Sequence, residues 1–108
     1  MDLKVIWTQS AISELENIFD YYKSKASAKV AKKITNSIVQ TTTSLRTNPK
    51  MGRIEELLIS KTFEYRFLIE GTYKIIYFIN NNFVVVASVF DCRRDPNCIR
   101  NITNLEIH

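Results

Sequence analysis

Phe83 to Phe90 reads FVVVASVF, eight residues in which only Ser88 is polar. Successive side chains of a strand point to opposite faces, so a strand apolar at nearly every position has to be covered on both. Eight residues are far too few to cross a bilayer, which takes about 20 in a helix. The run is therefore a central strand, and the rest of the chain has to supply its neighbours and its covering layers. It stops abruptly at Asp91-Cys92-Arg93-Arg94-Asp95-Pro96, where a buried strand comes out into water.

The preceding segments supply the neighbours. Thr62 to Ile69 alternates, with Phe63, Tyr65, Phe67 and Ile69 on one face and Thr62, Glu64 and Arg66 on the other. Glu70-Gly71-Thr72 is a turn, Tyr73 to Ile79 a second strand, and Asn80-Asn81-Asn82 another turn, since asparagine tolerates positive φ. Leu3 to Trp7 is a short strand at the start of the chain.

The covering layer comes from two helices. Thr8 caps the first, with Trp7 and Ile12 placed as a hydrophobic staple, and Ala11, Leu15, Ile18 and Tyr22 recur at helical spacing to about Lys23. Ser27, or alternatively Ser24, starts the second. Its inward stripe is Val30, Ala31, Ile34, Ile38, Thr41 or Thr42, and Leu45, and Asn48-Pro49 stops it. The short link implies an antiparallel helical hairpin. Met51 to Leu58 reads as irregular. The expected fold is α+β, in the order β-α-α-β-β-β, with the hairpin packed on an antiparallel sheet. All of residues 1–108 form one domain.

The composition excludes several chemistries. The only histidine is His108, so a histidine base, a Ser-His-Asp triad and a histidine-rich metal site are excluded, and no cofactor is implied. Two cysteines, Cys92 and Cys98, are too few ligands for zinc. Nothing resembles a signal peptide or a membrane span, so we read a cytoplasmic protein with reduced thiols. A net charge of +4 suits an acidic partner without diagnosing a nucleic-acid binder.

With this layout, a set of local phrases resembles the RelE/ParE superfamily of bacterial type II toxins. The phrases are Val5-Ile6-Trp7-Thr8, then Ala11, Leu15, Ile18 and Tyr21-Tyr22, then Leu45, Asn48-Pro49 and Gly52-Arg53. Tyr65-Arg66, Tyr73-Lys74-Ile75-Ile76-Tyr77 and Val89 to Pro96 complete the set. The resemblance implies a toxin neutralised by a cognate antitoxin, a plasmid-stabilisation type of system. Operator DNA is reached only through the toxin-antitoxin complex. It implies one of two targets: RelE-like members cut mRNA on the ribosome, and ParE-like members inhibit DNA gyrase without being nucleases.

Cutting RNA without histidine or metal requires lysine, arginine, tyrosine and carboxylates in one place. Arg66, Lys74 and Arg93 or Arg94 stand at basic positions of the nuclease pattern. Leu68 is apolar where a further basic residue belongs, and Asn97 to His108 contains no tyrosine. The resemblance is therefore closer to ParE-like members, with Arg93, Arg94, Arg66 and Lys74 as target-binding residues. The alternatives are a RelE-like ribosome-dependent endoribonuclease using those four, or a non-toxic remnant that only binds the antitoxin.

Plainer roles stay open for each. Arg66 can pair with Glu64 or Glu70, Lys74 can be a solvated strand charge, and Arg93-Arg94 can be neutralised by Asp91 and Asp95. Cys92 is a packing residue unless the adjacent arginines lower its pKa. For the antitoxin, the expected contacts are Tyr65, Phe67, Tyr73 and Tyr77, with Lys29 and Lys33 near the start of the second helix, where cations oppose the dipole.

Overall fold

A computed structural model describes residues 2–58 and 63–93. Thr62, Arg94, Asp95, Pro96, Cys98 and the rest of the tail lie outside the described residues. The elements are β1 (Lys4–Trp7), α1 (Gln9–Lys25), α2 (Ala28–Thr43), β2 (Arg53–Ile54), β3 (Arg66–Glu70), β4 (Tyr73–Asn80) and β5 (Phe83–Asp91). The expected order holds, with one addition. The stretch read as irregular contributes β2, a two-residue edge strand, and a single 3-10 turn, Glu56–Leu58.

The five strands form one sheet in the order β1-β5-β4-β3-β2. The β3-β4-β5 meander is antiparallel, as is β2 on β3. β1 pairs with β5 in parallel, so the sheet is mixed rather than wholly antiparallel. The connectivity is the reason. The hairpin carries the chain to the far edge of the sheet, and the meander returns it, so β5 arrives beside β1 running the same way. The apolar run thus sits between β1 and β4, with Val84, Val86 and Val89 buried on the helix side; on the other face Ala87 is buried, Val85 and Phe90 are half-buried, and Phe83, at the start of the strand, is exposed. Gly71 (φ 63°) and Asn81 (φ 55°) make the two tight turns of the meander in the left-handed region.

Thr8 caps α1 by accepting the Ala11 N–H at 3.1 Å, and its hydroxyl also donates to the Ala87 carbonyl at 3.2 Å. Ser27 is the cap of α2 and accepts from Val30 at 3.1 Å. The buried stripe of α2 and the 3-10 turn after it is Ala31, Thr35, Ile38, Thr42 and Leu45. Val30 is instead 38% exposed. Thr35 can hold the inward position because its hydroxyl donates to the Ala31 carbonyl at 3.0 Å, leaving its methyl to pack.

One irregularity ties helix to sheet. Ile76 pairs with Ser88 but Tyr77 pairs with Val86, so Ala87 is an extra residue in β5, a β-bulge. Glu14, on α1, reaches this point. Its carboxylate accepts the Ser88 hydroxyl at 3.0 Å and the Val89 N–H at 3.1 Å. Replacing Glu14 with Ala is expected to lower the unfolding free energy by about 1–2 kcal/mol, since a backbone donor loses a charged acceptor. Glu14→Gln, which keeps an acceptor oxygen, is expected to lose less; urea denaturation of the two variants reads the difference.

Candidate functional site

Residues directly opposite each other in an antiparallel ladder share a face, which fixes where each candidate side chain points. Tyr73, Ile75 and Tyr77 of β4 face the helices, and Lys74, Ile76 and Phe78 face away. Arg66 pairs with Tyr77 and Ile69 pairs with Lys74. Arg66 therefore lies on the helix face and Lys74 on the opposite one. The sheet does not bring these two cations together.

Each is also engaged where it stands. Arg66 Nη1 donates to the Gly52 carbonyl at 2.8 Å, and Nη2 pairs with Glu64 Oε1 at 2.9 Å. Only 15% of its side chain is exposed. Beside it, the Tyr77 hydroxyl donates to the Pro49 carbonyl at 2.7 Å and accepts the Gly52 N–H at 2.9 Å. Arg66 and Tyr77 thus form a clamp on loop 49–52. On the other face, Lys74 Nζ is ion-paired with Glu55 and sits 4.3 Å from the centre of the Phe67 ring. Its side chain is 14% exposed and that of Glu55 6%, so Lys74 is a buried partner rather than a solvated strand charge.

Arg93 differs from both. Its side chain is 66% exposed, and its Nη2 meets Asp91 Oδ2 at 3.2 Å. Its backbone N–H also donates to Asp91 Oδ1 at 2.8 Å. The four aromatic candidates divide between the faces. Tyr65 and Phe67 pack with Phe63 and Phe78 on the side away from the helices, and Tyr73 and Tyr77 on the helix side. Tyr65, Tyr73 and Tyr77 are buried as core residues. Lys29 and Lys33 are exposed.

Burial governs the acid-base character. It is the main cause that pushes the Tyr73 hydroxyl well above its ordinary range, aided by the hydrogen bond Tyr73 donates to the Tyr22 hydroxyl at 3.2 Å. Burial likewise raises Tyr77, against the Gly52 N–H and Arg66, which lower it. Both phenols are protonated in the fold at a pH where the unfolded chain, with tyrosine near about 10, has ionised them. Their contribution to stability is complete below about pH 10 and is lost as pH rises further. Tyr73→Phe is therefore expected to flatten the fall in Tm as pH rises above about 10.

Cys92 is raised too, chiefly by desolvation, with Asp91 adding to the rise and Lys74 opposing it. Arg93 is turned to Asp91 and does not lower it, while Arg94 lies outside the described residues; Cys92 itself is exposed, so it is not the packing residue expected. Among the described residues, no group of histidine, cysteine and carboxylate side chains can hold a metal. Among the same residues, no helix is long and apolar enough to cross a membrane.

Glu55 and Glu14 escaped the sequence reading, and Tyr22 entered it only through the stripe of α1 and the Tyr21-Tyr22 phrase. Glu55 is one acid in an unpatterned stretch, and nothing short of the fold points it at Lys74. Gly52, one of two glycines, entered with Arg53 among the phrases that carry the resemblance, and nothing local placed it against Tyr77.

Residues 5–96 match the family described as ParE toxin of the type II toxin-antitoxin system parDE. This chain belongs to the ParE toxin family. Among solved structures, the chromosomal ParDE system of P. aeruginosa is similar with a TM-score of 0.69 and 18% identity, over 82% of this chain and 95% of that one. The RelBE2 toxin-antitoxin complex of Mycobacterium tuberculosis gives 0.62 and 19%, over 88% and 95%. A free-state mutant of the E. coli toxin RelE gives 0.61 and 14%, over the full length of both. A search of curated proteins by sequence finds no match. At these identities the structures speak for the fold alone. The family match is what makes the chain a type II toxin of the ParE family.

Proposed function

We propose that this ParE-family toxin acts in the cytoplasm by binding and inhibiting DNA gyrase, and that a cognate antitoxin silences it. The observation that carries the reading is the separation of Arg66 from Lys74. They lie on opposite faces of the sheet, one bound to a loop carbonyl and the other to Glu55. RNA cleavage needs a base, an acid and a phosphate-binding cation around one bond. The described residues offer no such convergence. Arg93, exposed at the end of β5, is the charge best placed to meet a macromolecular target.

Two parallel reactions test this, each with purified toxin and with the Arg93→Ala/Arg94→Ala double variant. One follows gyrase supercoiling of a plasmid; the other follows mRNA on programmed ribosomes. Blocked supercoiling with intact mRNA, relieved by the double variant, is the expected result. Cut mRNA with active gyrase overturns the reading.

A further inference from the structure

A cleft of about 350 Å³ opens where α2 passes the β3–β4 turn. Tyr22, Ile34 and Ile38 contribute apolar lining, with Lys33, Glu70 and Arg93 as its charged groups. Lys33 and Arg93 come from α2 and the end of β5, about 60 residues apart in sequence, and nothing in their local sequence joins them. The Tyr22 hydroxyl oxygen accepts a hydrogen bond from the Tyr73 hydroxyl, which leaves the Tyr22 O–H to serve as a third donor beside the two cations. Glu70 already accepts a hydrogen bond from Thr41 at 2.8 Å.

We propose that this cleft is a recognition pocket for a polypeptide segment that presents an aliphatic side chain next to a carboxylate. The aliphatic group packs on Ile34 and Ile38, and the carboxylate meets Lys33 and Arg93. The choice of peptide over nucleic acid follows from the lining. It carries both signs of charge on an apolar base. A nucleic-acid strand presents negative charge only, and would set phosphate beside Glu70. A peptide supplies carboxylate, apolar side chain and backbone N–H together, and the N–H suits Glu70. The pocket is independent of whether gyrase or the ribosome is the target.

The test is an NMR titration of the full-length toxin, following the Ser37, Gly71 and Thr72 amides. The probes are a capped Leu-Glu-rich pentapeptide, the same peptide with Gln for Glu, and a dT10 oligonucleotide. The acidic peptide is expected to shift these amides saturably. Lys33→Glu is expected to weaken that binding about tenfold. Lys4→Glu, at an exposed lysine on β1, makes the same change in net charge from a residue outside the cleft, and is expected to change affinity less than twofold. Both lysines are exposed, so both variants are expected to fold, and unchanged amide dispersion checks this. Equal binding of the Gln peptide, equal loss in the two variants, shifts only with dT10, or no shift at all overturns the proposal.

Discussion

Gly52→Ala is expected to cost about 3 kcal/mol of stability, a fall of roughly 10–20 °C in Tm for a chain of this size. A Cβ at Gly52 would lie 2.6 Å from the Tyr77 hydroxyl oxygen, 2.7 Å from the Phe67 carbonyl oxygen and 2.8 Å from Tyr77 Cε1. None of these can yield cheaply. Tyr77 is fully buried, and its hydroxyl is held between Pro49 and Gly52; the Phe67 carbonyl is backbone of a paired strand. Loop 49–52 must lift instead, which also breaks the Arg66 contact to the Gly52 carbonyl.

Tyr77→Phe alone removes two hydrogen bonds and is expected to cost about 1–2 kcal/mol. In that background the Gly52→Ala penalty should shrink without vanishing, because the Phe67 carbonyl remains. Thermal melts of the two single variants and the double variant close the cycle. A wild-type Tm for Gly52→Ala would mean that the loop is not seated on Tyr77.

The second large effect concerns the charge pair on the opposite face. Lys74→Met is expected to destabilise by about 2–3 kcal/mol, because it strips the ammonium from a carboxylate that is only 6% exposed. Replacing both partners by apolar residues of similar volume, Lys74→Met with Glu55→Leu, should restore most of the loss, since the desolvation cost of both charges is removed with their attraction. Urea denaturation of the single and double variants measures this. Equal instability of single and double variants would show that the loss comes from the packing of the lysine stem on Phe67 rather than from charge. The double variant also separates structure from function. If it folds and still inhibits its target, Lys74 serves the fold; if it folds and is inert, Lys74 meets the target.

These two clusters show where sequence reading stops. The caps at Thr8 and Ser27, the turns at Gly71 and Asn81, and the central strand were all legible, because each depends on residues within a few positions of one another. The parallel pairing of β1 was not. A strand's direction relative to a partner about 80 residues away depends on the path between them, which no local pattern encodes. β2 was missed because two residues are too few for a period to register. On α2, an apolar scale assigned the inward position to Val30, whereas helix phase gave it to Thr35, whose hydroxyl is satisfied by its own helix.

The candidate site divides along the same line. The residue types, lysine, arginine and tyrosine without usable histidine, were fixed by composition, and with them the range of chemistry open to the chain. Tertiary structure decided their company. A strand residue's face follows from parity, but its neighbours come from ladder register and from loops that cross the sheet. Register put Arg66 opposite Tyr77 on the helix face, under a loop that carries Gly52. The 53–58 segment brought Glu55 to Lys74 on the other face. The end of β5 brought Arg93 to the cleft that Lys33 lines. Sequence sets which charges exist; their pairing depends on distances of a few ångströms between segments far apart in the chain, and folding alone sets those.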